Sequence, residues 1–116
     1  NLLGFENGVY DLIEFRFRDG LPEDYIKYST GRNYEDFEDD EEEIEDVITF
    51  LSQVLPKKTV REYVLTLLGS FLTGKTSNEK FHIWTGCGGN GKSKLIELFE
   101  YAFGDYCCKL PVTFLT

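Results

Sequence analysis

Apolar positions along this chain first alternate with polar ones and later recur at helical spacing. In IEFRFR, Ile13, Phe15 and Phe17 fall on one side of an extended chain and Glu14, Arg16 and Arg18 on the other. That is the period of a half-buried strand. Upstream, Asn7-Gly8 lies between Phe5 and Val9, and both residues tolerate the positive φ of a two-residue hairpin turn. Asp19-Gly20 closes the alternation, so a small antiparallel element is expected, followed by an irregular connector through LPEDYIKYSTGRNY. The period then changes. Ile44, Val47, Ile48, Leu51, Val54 and Leu55 recur as one helical stripe until Pro56 stops it. Thr59 with Glu62 reads as a capping box opening a second helix through Val60, Val64, Leu68, Phe71 and Leu72. Gly74 stands where a C′ glycine belongs. The short link PKK predicts that the two helices pack antiparallel as a structural hairpin without chemistry.

Residues 81–85, FHIWT, form a short apolar run compatible with a buried strand, with His82 and Trp84 as core or strand-face residues. Gly86-Cys87-Gly88-Gly89-Asn90-Gly91-Lys92-Ser93 follows and matches G-x-x-x-x-G-K-[ST] in full. Leu95, Ile96, Leu98, Phe99, Ala102 and Phe103 then supply a helix, closed by Gly104. Strand, loop and helix stand in the order a phosphate-binding loop requires. At ordinary residue frequencies the four fixed positions would match by chance less than about once in a hundred such chains. Bare backbone has a chemical use here, because phosphate oxygens are met by N–H groups that an inward Cβ would block. The helix start adds unpaired N–H groups and a positive dipole. Lys92 is the expected catalytic residue, a point charge on the β- and γ-phosphates, and the Ser93 hydroxyl is the expected Mg²⁺ ligand. The expected nucleotide contacts are Gly86, Cys87, Gly88, Gly89, Asn90, Gly91, Lys92, Ser93 and Lys94, with ATP and Mg²⁺ as cofactors. Cys87 is there as a small tolerated residue.

Charge alters this picture only locally. The formal net charge is −9, but residues 35–46, EDFEDDEEEIED, carry 10 acids and no base. Taking those 10 from the 21 acids leaves 11 against 12 bases, close to neutral. An acidic block of this kind is a solvated connector and a poor surface for a phosphate backbone. The three cysteines, Cys87, Cys107 and Cys108, form no C-x-x-C pair, and His82 is the single histidine, so free thiols are expected rather than a zinc site. At 41% hydrophobic and 16% aromatic, the composition supports a packed core. No apolar run approaches the roughly 20 residues that span a bilayer, and no signal-peptide pattern is present. The chain starts at Asn1, contains no methionine and ends inside an apolar stretch, which reads as an internal piece of a longer protein.

GCGGNGKS, with asparagine before its last glycine, resembles the Walker A variant of superfamily three helicases. NGVYDL, VREYVLTLLGSFLTG, EKFHIWTGCGGNGKSKLIELFEYAFGDY and KLPVTFLT extend the likeness. Together they resemble the primase-helicase replication proteins of poxviruses, giant DNA viruses and related phages and plasmids. The likeness is strongest over residues 60–116 and weakest through the acidic run. It implies an α/β fold, the amino-terminal portion of an AAA+-type P-loop NTPase, preceded by the small antiparallel element and a collar-like helical hairpin. The domains expected are 1–34 for the strand element and connector, 35–43 for the acidic linker, 44–75 for the hairpin and 76–116 for the start of the helicase domain. The resemblance further implies a homo-hexamer of the full-length protein on DNA, unwinding 3′ to 5′ at the expense of ATP, in the host-cell cytoplasm or at a viral replication site and without a membrane. Walker B acids, sensor residue, DNA-contacting loop and arginine finger are expected beyond Thr116, so the 116 residues alone are expected to be an incomplete ATPase. A P-loop small-molecule kinase and an ATP-dependent assembly or packaging module remain as alternative readings.

Overall fold

The computed structural model describes residues 1–38, 41–75, 80–89, 91–114 and 116. Asp39 and Asp40 of the acidic connector, residues 76–79, Asn90 of the loop and Leu115 lie outside the described residues. The chain divides into two compact units: residues 2–34 with 96–116, and Asn1 with residues 35–95. The chain passes from one unit to the other at 34/35 and returns at 95/96, inside the segment 76–116.

In the first unit, β1 (Leu2–Phe5), β2 (Gly8–Asp11) and β3 (Arg16–Arg18) form an antiparallel meander in the order β1-β2-β3. Phe5 pairs with Gly8 across the first turn, so the turn residues are Glu6 and Asn7 and Gly8 already belongs to β2. That is one position earlier than the dipeptide signal suggests. The register places Leu3, Phe5, Tyr10 and Phe17 on one face. Tyr34 covers it, stacked on Phe17 at 4.6 Å between centroids and edge-on to Phe5 at 5.4 Å. On the other face Val9 is buried.

The alternation in IEFRFR is only half realised. β3 begins at Arg16, and Ile13 and Phe15 are 69% and 76% exposed. The Asp11 carboxylate explains the loss, accepting hydrogen bonds from the backbone N–H groups of Ile13 (2.8 Å) and Glu14 (3.0 Å). This Asx turn competes with the ladder and wins, and Phe15 takes a left-handed φ of 55° on the way out.

The connector after β3 does more than link. Thr30 N–H donates to Gly4 O and Glu6 N–H to Arg32 O, both at 2.9 Å, so the outer edge of β1 is covered. The Tyr106 hydroxyl accepts from Gly4 N–H at 2.9 Å and donates to Tyr28 O at 3.0 Å. A Cβ on Gly4 would collide with the Tyr28 carbonyl oxygen, and one on Gly104 with that of Thr30. Gly104, at φ 53°, ends α3 (Lys92–Phe103) and opens a 3-10 turn, Gly104–Tyr106. From that turn Asp105 N–H donates to Ser29 O at 3.0 Å, and the Asp105 carboxylate accepts from Ser29 N–H at 3.2 Å. The Arg32 guanidinium lies 3.4 Å over the Tyr101 ring.

In the second unit, α1 (Glu42–Val54) and α2 (Lys58–Phe71) pack on each other across a three-residue link. Three glutamates in the first turn of α1 suit its positive end. The expected start near Ile44 moves back to Glu42 accordingly. Arg61 donates to Leu55 O at 2.8 Å and closes the carboxyl end of α1. The Thr59–Glu62 capping box does not form. The helix already runs from Lys58, which lets Arg61 reach Leu55, so Thr59 sits inside the first turn. Glu62 faces Lys58 at 3.8 Å instead. Gly74 has the left-handed φ of 65° expected of it, one residue farther from the helix end than C′. Among the described residues of this unit Val64, Leu68 and Leu95 are the buried apolar ones, whereas Val47 and Ile48 of the α1 stripe are 40% and 58% exposed.

Residues 81–85 form no strand. Among the described residues none pairs with them, and Phe81 and Ile83 are 86% and 76% exposed. An apolar run makes a buried strand only when neighbouring strands take up its N–H and C=O groups.

Asp24 provides a pH test of the first unit. It holds Arg18 in a two-pronged ion pair (2.8 and 2.9 Å) and accepts Leu21 N–H at 2.7 Å. The Arg18 hydrogen bonds first, then that of Leu21, pull its pKa down from the ordinary 3.8 to about 2. A depressed carboxylate stabilises the fold above its unfolded pKa near 4 and loses that contribution as pH falls through about 2. The Asp24 carboxyl resonance should therefore titrate near 2 by NMR, and Asp24→Asn should remove this part of the acid destabilisation. A midpoint near 4 would contradict the ion pair.

Candidate phosphate-binding site

The loop joins residues 81–85 to α3. Gly86, Cys87, Gly88 and Gly89 are exposed, with a turn at Gly88 and Gly89. Gly89 and Gly91 hold left-handed φ values of 80° and 81°, which side chains rarely adopt. α3 begins at Lys92, and its first turn is closed by Leu95 N–H donating to Gly91 O at 3.0 Å.

The glycines differ in what demands them. A Cβ on Gly88 or Gly89 would meet nothing within 4 Å, so packing against the protein does not require either to be bare. At Gly89 the positive φ does. A Cβ on Gly91 would come 2.8 Å from Val54 Cγ2. Gly91 is therefore demanded twice, by conformation and by space. At Gly88 neither demand applies, and the bareness left over suits a ligand approaching the backbone.

Lys92 is half-buried, and Ser93 and Lys94 lie with it on the first turn of α3. That turn carries no acid, so two lysines and the positive end of a 12-residue helix share one place. Lys92 also lines a cavity of about 490 Å³ together with Val54, Val64, Trp84, Thr85 and Leu95. His82, exposed, lies 6.4 Å from the Phe71 ring. Cys87 is a free, exposed thiol, as are Cys107 and Cys108. Extended backbone at Cys107 (φ −124°, ψ 135°) sends successive side chains to opposite sides.

Gly86, Cys87, Gly88, Gly89, Gly91, Lys92, Ser93 and Lys94 thus form one continuous loop and helix start, with Asn90 outside the described residues. For Mg²⁺ the chain offers the Ser93 hydroxyl, and no cluster of three or more His, Cys, Asp or Glu occurs among the described residues. A single hard oxygen fits an ion whose other ligands are phosphate oxygens and water. Val54 is the site neighbour that sequence reasoning missed. It appeared only as one member of the helical stripe, and no local signal ties it to a glycine 37 positions away.

The family described as D5 N terminal like matches residues 1–56. The chain is similar to a protein of Acanthamoeba polyphaga mimivirus named "Putative helicase", at 45% identity over 99% of this chain and 12% of that protein. Proteins of the same name from Invertebrate iridescent virus 3 and Invertebrate iridescent virus 6 are 36% and 34% identical, again over 99% of this chain and 12% of each. The chain spans about 12% of the length of the curated relatives it matches.

The two demands on Gly91 set up a contrast. Gly91→Ala should lower the stability of the full chain by about 1–3 kcal/mol, from left-handed strain and the Val54 collision. Gly88→Ala should stay within about 1 kcal/mol of wild type. Thermal or urea unfolding of the two variants checks this, and equal effects would remove Val54 as the neighbour that constrains the loop.

Proposed function

We propose, from the likeness of residues 1–56 to the family described as D5 N terminal like and of the whole chain to viral proteins named as helicases, that it is the ATP-binding segment of a replicative DNA helicase. The likeness to proteins so named supports a helicase-related role. The hydrolysis of ATP, the unwinding of DNA and assembly as a homo-hexamer are proposed for the full-length protein. One observation carries the reading. The matched G-x-x-x-x-G-K-[ST] loop runs straight into the amino end of α3, with Gly89 and Gly91 left-handed and Gly88 bare beyond any packing need.

In this reading the loop's backbone N–H groups donate to the phosphate oxygens of ATP, and the α3 dipole favours their charge. Lys92 neutralises the β- and γ-phosphates, and its ammonium matters most as charge builds on the leaving phosphoryl group. Ser93 offers its hydroxyl to Mg²⁺, which offsets phosphate charge when bound. The acids that position water and the arginine supplied by a neighbouring subunit come, on this proposal, from other parts of the full-length protein. DNA is held there too, because the acidic residues 35–46 would repel a phosphate backbone. The parallel strands of an AAA+-type sheet that would flank residues 81–85 are proposed on the same footing.

Lys92→Ala in the full-length protein should lower ATP turnover by at least about 10²-fold and abolish duplex unwinding, with an unchanged circular dichroism spectrum. Turnover within about threefold of wild type would fall far short of the loss expected when one electrostatic contact to the transition state is removed. That result would take Lys92 out of the site.

A further inference from the structure

We propose that Val54, the last residue of α1, is a positioning residue for the phosphate loop, acting through Gly91. The inference rests on reading the loop as a phosphate site and extends the site into the helical hairpin. Three atoms of Val54 surround the place where a Gly91 side chain would stand: Cγ2 at 2.8 Å, Cγ1 at 3.5 Å and Cβ at 3.6 Å. The valine occupies the space that the glycine leaves open.

That contact sits at a point where small displacements propagate. Gly91 is the left-handed residue from which α3 departs, and its carbonyl accepts the first helical hydrogen bond from Leu95. Leu95, 1% exposed, pins the same turn from its inner side. Lys92 and Ser93 lie between these two fixed points, so their direction follows from where Gly91 rests. Val54 has little freedom of its own. It is held by the last turn of α1, which ends where Arg61 donates to Leu55 O and Pro56 breaks the helix. A β-branched side chain is also stiff at χ1, which suits a stop better than a flexible residue would. The hairpin, which shows no chemistry in its sequence, thus supplies the floor on which the loop is set.

The test uses the full-length protein and steady-state ATP hydrolysis with Mg²⁺, beside thermal unfolding. Val54→Ala should raise KM for ATP on the order of tenfold or more, because a loop displaced by a fraction of an ångström no longer aims its donors. Val54→Ile, which keeps both branches, should restore KM to within about twofold of wild type. Leu68→Ala removes a buried residue of the same unit, 8% exposed, and should lower the melting temperature while leaving KM within about twofold. Equal rises in KM for Val54→Ala and Leu68→Ala, or no rise for Val54→Ala, would overturn the proposal while leaving the phosphate loop intact. Wild-type turnover and KM in Lys92→Ala would instead remove the loop itself as the ATP site, and the role of Val54 with it.

Discussion

Gly91 has to turn left-handed against Val54 before α3 can begin, and the candidate site depends on that one close approach. The backbone there has no alternative residue. Any side chain would meet both the steric penalty of positive φ, about 1–2 kcal/mol, and the valine methyls. Once the turn is made, Leu95 N–H closes on Gly91 O, Leu95 is buried, and Lys92 and Ser93 take their places on the first turn. Helix start, buried anchor and the placement of Lys92 and Ser93 are thus consequences of one glycine. Gly88 stands apart, since neither space nor positive φ requires it.

The other unit is held by polar ties over a small apolar core. The Tyr106 hydroxyl joins Gly4 N–H to Tyr28 O, Asp105 exchanges hydrogen bonds with Ser29, and Arg32 lies over Tyr101. The Tyr106 hydroxyl, with Thr30 N–H on Gly4 O, gives partners to the outer edge of β1, which would otherwise present open N–H and C=O groups. The polar ties need glycine at 4 and 104 for the same reason the loop needs it at 91, close approach of neighbouring atoms. α3 is divided between the units, residues 92–95 in one and 96–103 in the other. The residues matched by the D5 N terminal like family likewise fall in both.

Where local rules act alone, the sequence was legible. The break at Pro56, the start of α3 at Lys92 and its end at Gly104 follow from proline and glycine, and the first hairpin was legible one residue out, at Glu6–Asn7 rather than Asn7–Gly8. The residues of the candidate loop could be named from the string alone, because its glycines, lysine and serine are contiguous. Failures came where a pattern depended on partners. Ile13 and Phe15 alternate like strand residues, but the Asp11 side chain drew their backbone into a turn. Thr59 and Glu62 have the spacing of a capping box, but the helix had already started at Lys58. Residues 81–85 read as a strand, and strand character belongs to a ladder rather than to a run of apolar residues. Val54 was illegible for the same reason at longer range, since only folding brings it to Gly91.

The central claim is that the bare backbone of this loop exists to meet phosphate oxygens. Amide hydrogen exchange of the full-length protein, with and without saturating ATP·Mg²⁺, tests it directly at the N–H groups concerned. Nucleotide should slow exchange in the segment from Gly86 to Leu95 on the order of tenfold or more, because those N–H groups become hydrogen-bonded. The α1 segment away from Val54 should change little. Unaltered exchange across the loop at saturating nucleotide would contradict the claim, whatever the protein's ATPase activity.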